Sequence, residues 1–183
     1  MTALGALDTI DPRPGRSILI VGATGGVGVF AVQLAAMYGA EVIATARPEA
    51  DAWIRGLGAT RTVDYTSGNV ADQVRETYPD GVDAVLDLTL DPGRLAQNAA
   101  LVCDGGTSVS AALVATPELL ASERITVVNF MMRNKPDLLA RITAEVASGR
   151  ITVPIQQTIT LDQVPDALAR SASGARGQTT IRI

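Results

Sequence analysis

The amino-acid sequence predicts an α/β fold, with helices on both faces of one doubly wound, parallel sheet of about six strands. Short apolar segments alternate with helical segments of about 8–15 residues along most of the chain, which is typical of βαβ units. The bend "GATGGVG" at residues 22–28 follows the first apolar segment directly and opens a helical one. Hydrophobic residues make up 47% of the 183 residues, which is enough for a sizeable core.

Strands and helices alternate in the first half of the chain. Leu4, Leu7 and Ile10 have helical spacing, and "DPRPG" then ends that first helix. The run "SILIVGA" is rich in β-branched residues, which favours a buried strand, whereas "GVGVFAVQLAAMY" is apolar nearly all round, as expected of a helix packed on a sheet. The pattern then predicts strands at residues 41–46 and 60–65, and helices at residues 48–58 and 69–79.

The second half continues this alternation before its character changes. Strands are predicted at residues 82–89, 106–112 and 124–132, with a helix in "DPGRLAQNAALV" between the first two. The clearest amphipathic helix is "KPDLLARITAEVASG", which ends at Gly149. The remaining residues form a tail with strand-like ends around a short helix at about residues 162–171, and this tail does not extend the alternating pattern.

Composition limits the chemistry that this chain can perform. It has no His and one Cys, Cys103, which excludes a Ser–His triad, a Cys–His pair, a disulfide framework and a His- or Cys-rich zinc site within the chain. We therefore expect no metal site. The net charge of −4 argues against nucleic acid and anionic membranes as partners. No window of about 18 apolar residues favours a membrane span, and the default expectation is a soluble, cytoplasmic protein.

The glycine-rich bend has the spacing of a dinucleotide-binding loop. Residues 23, 25 and 28 fall on the fingerprint G-x-G-x-x-G, with Ala23 in place of the first glycine. Gly25 would let a pyrophosphate approach the backbone, and Gly28 would let the helix pack closely on the strand. The helix N-terminus offers N–H groups and a partial positive charge to phosphate. The alternative is that the glycines only form a tight turn and a close contact.

Arg47 ends the second predicted strand, 19 residues after Gly28. NAD sites usually place an acid there for the ribose 2′-hydroxyl, whereas an arginine attracts a 2′-phosphate. The sequence therefore favours NADP over NAD, although Glu49 and Asp51 lie close by; the alternative is a solvated Arg47 on a turn. Other nucleotide folds fit less well, because no Lys follows the glycines as in a P-loop. None of the three tyrosines has the Lys four residues later that short-chain dehydrogenases use.

The stretch "VGATGGVGVFAVQLAAMYGAEVIATA" resembles the cofactor domain of zinc-independent medium-chain dehydrogenase/reductases, in the quinone oxidoreductase branch. The resemblance returns at "LGATRTVDY", "GVDAVLDLT" and "GARGQTTIRI", and so covers nearly the whole chain. It implies a Rossmann fold and hydride transfer from NADPH to a quinone or an activated alkene. The chain departs from the family at Asp51, where a lysine is common nearby, and at "LTLDPG", where glycines are usual earlier.

The resemblance also implies which residues surround the cofactor. Ala23, Thr24, Gly25, Gly26 and Val27 would hold the pyrophosphate, and Thr45, Arg47 and Tyr65 would surround the 2′-phosphate. Leu88 and Thr89 would lie beside the ribose, and Val109, Ser110, Ala111, Phe130 and Met131 would lie around the nicotinamide. For the last five the alternative is core packing, and for Tyr65 it is an ordinary tyrosine at a strand end. We find no catalytic acid or base, and we expect Asp87 on the fourth strand to be structural.

The family normally carries an N-terminal β-rich domain that supplies much of the substrate pocket. By resemblance, residues 1–149 are the Rossmann domain, with residues 1–12 as a linking helix, and residues 150–183 are the segment that normally packs on the absent catalytic domain. We accordingly expect a truncated product, an excised piece or half of a split enzyme.

Two functions stay open. The first is the NADPH-binding portion of a quinone or enone oxidoreductase that is weakly active alone. The second is a non-catalytic dinucleotide-binding or interaction module. The family often dimerises through the edge strand, here "RITVVNFMM", so we expect a homodimer unless a loop or helix covers that strand.

Overall fold

The computed structural model describes residues 1–133, 135–171 and 176–183. The strands are β1 (Ser17–Val21), β2 (Glu41–Ala46), β3 (Arg61–Asp64), β4 (Val82–Asp87), β5 (Val102–Ser110), β6 (Thr126–Asn129), β7 (Ile155–Thr160) and β8 (Gln178–Arg182). The α-helices are α1 (Thr2–Ile10), α2 (Gly28–Met37), α3 (Asp51–Gly56), α4 (Val70–Arg75), α5 (Pro92–Ala99), α6 (Pro117–Leu120), α7 (Pro136–Ala147) and α8 (Val164–Ser171). Short 3-10 helices, Pro48–Ala50 and Leu161–Gln163, lead into α3 and α8.

Within these residues, six parallel strands form one sheet in the order β3-β2-β1-β4-β5-β6. This is the strand order of the Rossmann fold, so the predicted doubly wound parallel sheet is confirmed. Strands β1 and β4 lie side by side at the centre of the sheet. From β1 the chain adds β2 and β3 toward one edge, and from β4 it adds β5 and β6 toward the other edge, so the strand order reverses between β1 and β4. In such sheets, ligands bind in the crevice outside the carboxyl ends of the strands at this reversal.

Helices cover both faces of the sheet. Helices α1, α2, α3 and α7 pack in one buried cluster, and α4 and α5 pack in the other. Ile18 and Ile20 of β1 belong to the first cluster, while Leu19 and Val21 belong to the second. A strand buried on both faces needs apolar residues at every position, which explains why "SILIV" shows no polar alternation.

Strand β5 begins earlier than the sequence predicts. It starts at Val102 instead of residue 106, and its register with β4 shifts between Val82 and Ala84. A Cβ atom at Gly106 would lie 2.6 Å from the carbonyl oxygen of Asp83, so the two strands approach too closely there for a side chain. This irregular start is polar and partly exposed, and its sequence therefore lacks the apolar pattern of a buried strand.

The C-terminal tail lies outside the six-stranded sheet. Strands β7 and β8 pair with each other in parallel, and α8 connects them. The strand–helix–strand order predicted for this tail is therefore confirmed. Of the "GARGQTTIRI" ending, residues 174 and 175 lie outside the described residues.

Candidate functional site

A cleft of about 970 Å³ opens beside the glycine-rich bend, at the carboxyl ends of β1, β2 and β4. Because these strands are parallel neighbours, their last residues meet at one edge of the sheet. Several predicted cofactor residues line this cleft: Thr24, Gly25, Thr45, Arg47, Tyr65, Leu88 and Thr89.

The bend between β1 and α2 has a backbone that side chains would disrupt. Gly22 has a φ of 81°, in the left-handed region that glycine adopts without strain. A Cβ atom at Gly28 would lie 2.3 Å from the carbonyl oxygen of Gly22 and 2.5 Å from that of Ala23. The first turn of α2 therefore packs directly on the bend. Ala23 itself is fully buried in the core, and its methyl group occupies the position of the first fingerprint glycine.

Helix α2 directs its N-terminus at this bend. Its N-cap residue, Val27, makes no side-chain cap hydrogen bond, and the described first turn of α2 holds no acidic residue. Amides at such a helix end lack intrahelical acceptors, and the helix dipole adds a partial positive charge. The bend and the helix end thus fit an anion such as the diphosphate of a dinucleotide.

Thr45 fixes the start of the bend. Its Oγ1 atom accepts a hydrogen bond from the amide of Gly22 at 3.0 Å, and the residue is only 3% exposed. The hydroxyl on β2 therefore holds the end of β1 in the position from which the bend departs. Thr45 both lines the cleft and determines the shape of its floor.

Arg47 and Tyr65 lie together at the far side of the cleft, past the ends of β2 and β3. The Nε atom of Arg47 donates to the phenolic oxygen of Tyr65 at 2.9 Å, and the guanidinium lies 5.8 Å from the centre of the tyrosine ring. The hydrogen bond to Tyr65 raises the pKa of Arg47, so this side chain is a fixed positive charge. A guanidinium is a planar, forked donor whose geometry suits a phosphate group.

Asp51, which weakens the sequence signal for a phosphate, is engaged elsewhere. Its carboxylate accepts hydrogen bonds from the hydroxyl of Thr62 and, at 3.0 Å, from Nε of Arg55. These two hydrogen bonds lower the pKa of Asp51. The positive charge of Arg55 offsets part of the negative charge of Asp51, so this pair repels a nearby phosphate less than an unpaired carboxylate would.

Asp87 at the end of β4 is fully buried and fully engaged. Its Oδ1 atom accepts from the amide of Thr89 at 2.8 Å and from the hydroxyl of Thr89 at 2.6 Å. Its Oδ2 atom accepts from Nδ2 of Asn98, in α5, at 2.9 Å. This network fixes the turn that carries Leu88 and Thr89 into the cleft. These hydrogen bonds account for the burial of Asp87, and its structural role stays a prediction from the sequence.

The other predicted residues lie outside the described lining of the cleft. Val109 and Ser110 are fully buried, and the Ser110 hydroxyl accepts from the amide of Val114 at 3.2 Å. Ala111 donates its amide to the carbonyl of Asp87 at 3.0 Å, which keeps the end of β5 beside β4. Phe130 packs against helix α1, and Met131 is 63% exposed. Gly26 and Val27 belong to the bend but are not among the described lining residues.

The structure adds lining residues that sequence reasoning missed, chiefly from the start of α4 and from α5. They are Val21, Gly22, Gly68, Asn69, Val70, Ala71, Arg75, Leu90, Arg94, Gln97, Asn98 and Ala100. In a doubly wound sheet, the loops after β3 and β4 flank the ends of β1 and β2, so the topology itself could have indicated these two segments. Among the described lining residues there are three arginines, and neither Asp nor Glu occurs.

In residues 1–133, 135–171 and 176–183, there is no group of three or more His, Cys, Asp or Glu residues that could hold a metal ion. Among those same residues, every helix is too short or too polar to cross a bilayer.

Comparison with known proteins identifies relatives of this region. Residues 26–146 match the family described as zinc-binding dehydrogenase. The mitochondrial NAD(P)H oxidoreductase RTN4IP1 of Bos taurus is 30% identical over 200 residues, which cover 92% of this chain and 48% of the relative. The chain thus spans about half the length of that relative.

Solved structures have the same fold over this whole chain. A structure described as a zinc-binding dehydrogenase from Sinorhizobium meliloti 1021, bound to NADP, has a TM-score of 0.85 and 26% identity, and covers 100% of this chain and 56% of that one. A quinone oxidoreductase from Pseudomonas syringae pv. Tomato DC3000 has a TM-score of 0.83 and 26% identity, and covers 100% of this chain and 61% of that one.

Proposed function

Because the chain belongs to the zinc-binding dehydrogenase family, as the cofactor-binding domain of a medium-chain dehydrogenase/reductase, we propose that it is the NADPH-binding portion of a quinone or enone oxidoreductase. The cleft carries this proposal. One part of it is a bend with an uncapped helix N-terminus, which fits a diphosphate, and another part holds the Arg47 guanidinium.

The charge of the cleft supports NADPH over NADH. Arg47, Arg75 and Arg94 line it, and among the described lining residues no carboxylate is available to accept from a ribose 2′-hydroxyl. NADP carries an additional phosphate at that position, and several arginines near a phosphate favour its binding. The NADP-bound relative from Sinorhizobium meliloti is in keeping with this preference.

We assign the nicotinamide to the ends of β5 and β6. Val109, Ser110 and Ala111 lie at the end of β5, and Phe130 and Met131 follow β6. The carboxyl ends of these strands lie at the same edge of the sheet as the bend, because all of the strands are parallel. NADPH, when bound, supplies the hydride, while the residues of this chain bind and orient the dinucleotide.

The hydride acceptor depends on more than this chain. We propose a quinone or an activated alkene, on the strength of the similarity to the Pseudomonas syringae quinone oxidoreductase. Among the described residues that line the cleft, the titratable side chains are three arginines and Tyr65, so proton transfer to a product has few candidates there. We therefore expect weak turnover by this chain alone, since one wall leaves a bound nicotinamide open to water.

Residues 150–183 are, in this proposal, the segment that packs on a separate catalytic domain. Several large apolar side chains of this tail are exposed, among them Ile155, Leu161 and Ile181. Exposed apolar groups of this kind are typical of a surface that another domain covers. We also propose zinc-independent chemistry, because the sequence holds no His and only Cys103.

A homodimer through β6 is also part of the proposal, because β6 forms one edge of the sheet. A cytoplasmic location stays a prediction from the sequence, and the Bos taurus relative is described as mitochondrial.

Direct titration tests the cofactor assignment. We expect the wild-type chain to bind NADPH more tightly than NADH, as followed by the fluorescence of the reduced nicotinamide. Arg47→Gln should weaken NADPH roughly tenfold and leave NADH nearly unchanged, because only the 2′-phosphate contact is lost. Arg13→Gln is the matched control, since Arg13 is an exposed arginine that pairs with Asp11 and is not among the described lining residues.

Equal losses for the two cofactors in Arg47→Gln would contradict the 2′-phosphate assignment. Absence of binding to either cofactor by the wild-type chain would overturn the proposed function as a whole. If NADPH binds but a quinone is not reduced until a separate catalytic domain is added, the enzyme interpretation is supported over a non-catalytic module.

A further inference from the structure

The C-terminal strand β8 contacts the glycine-rich bend from outside the cleft. The side chain of Gln178 donates from Nε2 to the carbonyl oxygen of Gly26 at 2.6 Å. The amide of the preceding Gly177 donates to the carbonyl oxygen of Thr24 at 2.9 Å. Neither of these two donors belongs to the described lining of the cleft. Both hydrogen bonds to the backbone of the bend therefore come from residues outside the described lining of the cleft.

The tail that carries Gln178 is itself hydrogen-bonded to helix α2. Gln33 in α2 is 8% exposed; it accepts from the amide of Thr152 at 2.9 Å and donates to its carbonyl at 3.1 Å. The amide of Gln178 in turn donates to the carbonyl of Pro154 at 2.8 Å. The Arg176 guanidinium lies 5.2 Å from the centre of the Trp53 ring. These contacts together hold the backbone of Gln178 beside the bend.

The geometry of the peptide links this contact to the cofactor side. In a planar, trans peptide, the carbonyl oxygen and the following N–H point in opposite directions. The Gly26 carbonyl points at Gln178, so the amide of Val27, which shares that peptide, points away from Gln178. A Cβ atom at Gly26 would lie only 3.0 Å from Nε2 of Gln178, so the side chain fills the space beside this peptide.

We propose that Gln178 is a positioning residue for the dinucleotide site. It fixes the orientation of the peptide between Gly26 and Val27, so that the Val27 amide at the N-terminus of α2 is turned toward the diphosphate. This inference rests on the proposed function. It adds that the affinity for the diphosphate depends on the C-terminal tail, although neither Gly177 nor Gln178 is among the described lining residues of the cleft.

The experiment compares a ligand that contains the diphosphate with one that lacks it. NADPH has the diphosphate, whereas 2′-AMP carries only the phosphate assigned to Arg47. Gln178→Met keeps the length of the side chain and removes the donor, so we expect NADPH to bind about fivefold more weakly, as for the loss of one hydrogen bond. The affinity for 2′-AMP should not change. Gln157→Met is the matched control, because Gln157 in β7 bonds to Thr179 and not to the bend.

Each outcome decides a separate question. If the wild-type chain binds neither ligand, the proposed function fails and this inference fails with it. If the wild-type chain binds NADPH and Gln178→Met binds it equally well, only the role of Gln178 is refuted. Equal weakening of NADPH and 2′-AMP would indicate general damage to the fold and would also refute positioning. Should Gln178→Met fail to fold, Gln178→Asn, which keeps the amide but is one methylene too short, gives the same comparison.

Discussion

Gly28 gives the sharpest test of how the bend is built. In Gly28→Ala, the new methyl group would lie 2.3 Å from the carbonyl oxygen of Gly22 and 2.5 Å from that of Ala23. Both of these neighbours are backbone atoms, so neither can rotate away, and either α2 or the bend must move. Such overpacking costs about 3 kcal/mol. For a chain of this size, that cost corresponds to a fall in the melting temperature of roughly 6–12 °C.

Two other glycines provide matched controls in the same thermal melts. A Cβ atom at Gly25 would approach the Gly22 carbonyl only to 3.4 Å, an ordinary contact, and Gly25 lines the cleft. Gly25→Ala should therefore keep the melting temperature within about 2 °C and weaken NADPH, because the methyl group enters the space of the diphosphate. At Gly56, near the end of α3, a Cβ atom would have no neighbour within 4 Å, so Gly56→Ala should alter neither property adversely.

The melting temperatures of Gly28→Ala, Gly25→Ala and Gly56→Ala together test whether α2 packs too closely on the bend for a side chain at Gly28. A wild-type melting temperature for Gly28→Ala would refute the predicted overpacking, because the bend would then tolerate a side chain that the geometry forbids. An equal loss of stability in Gly25→Ala and Gly28→Ala would also refute it, since the two glycines would then serve the same purpose.

Two more predictions concern the ends of β1. Thr45→Val removes the buried acceptor of the Gly22 amide and should cost about 2 kcal/mol, or roughly 4–8 °C in a thermal melt, whereas Thr45→Ser should retain most of that stability. At the other end, burial alone would raise the pKa of Asp83, but the hydrogen bonds from the amide and hydroxyl of Ser17 lower it. A carboxylate whose pKa is lower in the folded state stabilises the fold at pH values above its unfolded-state pKa, and this stabilisation is lost as the pH falls. The melting temperature of the wild type should therefore drop more steeply than that of Asp83→Asn between about pH 5 and pH 3. Parallel curves for the two proteins would contradict this.

The central strands could be predicted from the sequence because they are buried on both faces. The strand β2 was predicted at residues 41–46 and is observed at Glu41–Ala46, since continuous apolar, β-branched residues have few other uses in a soluble chain. The short helix α6 was not predicted. It has only four residues, none of them buried, and it is defined by Pro117 and by the hydroxyl of Thr116, which accepts from the Leu119 amide. Such local capping leaves no periodicity in the sequence.

The sequence predicted those parts of the candidate site that depend on one specific residue type, such as glycine in a tight bend or arginine beside a phosphate. The glycine spacing located the bend, and Arg47 does line the cleft beside it. The contributions of α4 and α5 were missed because Asn69 and Gln97 are ordinary polar residues whose position in the cleft depends on how the helices pack. The contact of Gln178 with Gly26 joins residues that are 152 positions apart, and no local pattern could indicate it.

These contacts together explain why the bend can hold one shape before a ligand arrives. Thr45 holds its first amide from β2, Gly28 brings α2 against its carbonyls, and Gln178 bonds to it from the tail. A loop that is already ordered does not lose conformational freedom on binding, so less of the interaction energy with a diphosphate is spent on ordering it. Loosening the support from Gly28 or from Gln178, neither of which is among the described lining residues, should therefore weaken the diphosphate contact. The support from Gln178 differs from the others in one respect: it comes from the segment that, in the proposed function, packs on the catalytic domain. Packing of that domain against the tail would then hold the bend more firmly, and cofactor affinity would rise when the two domains are joined.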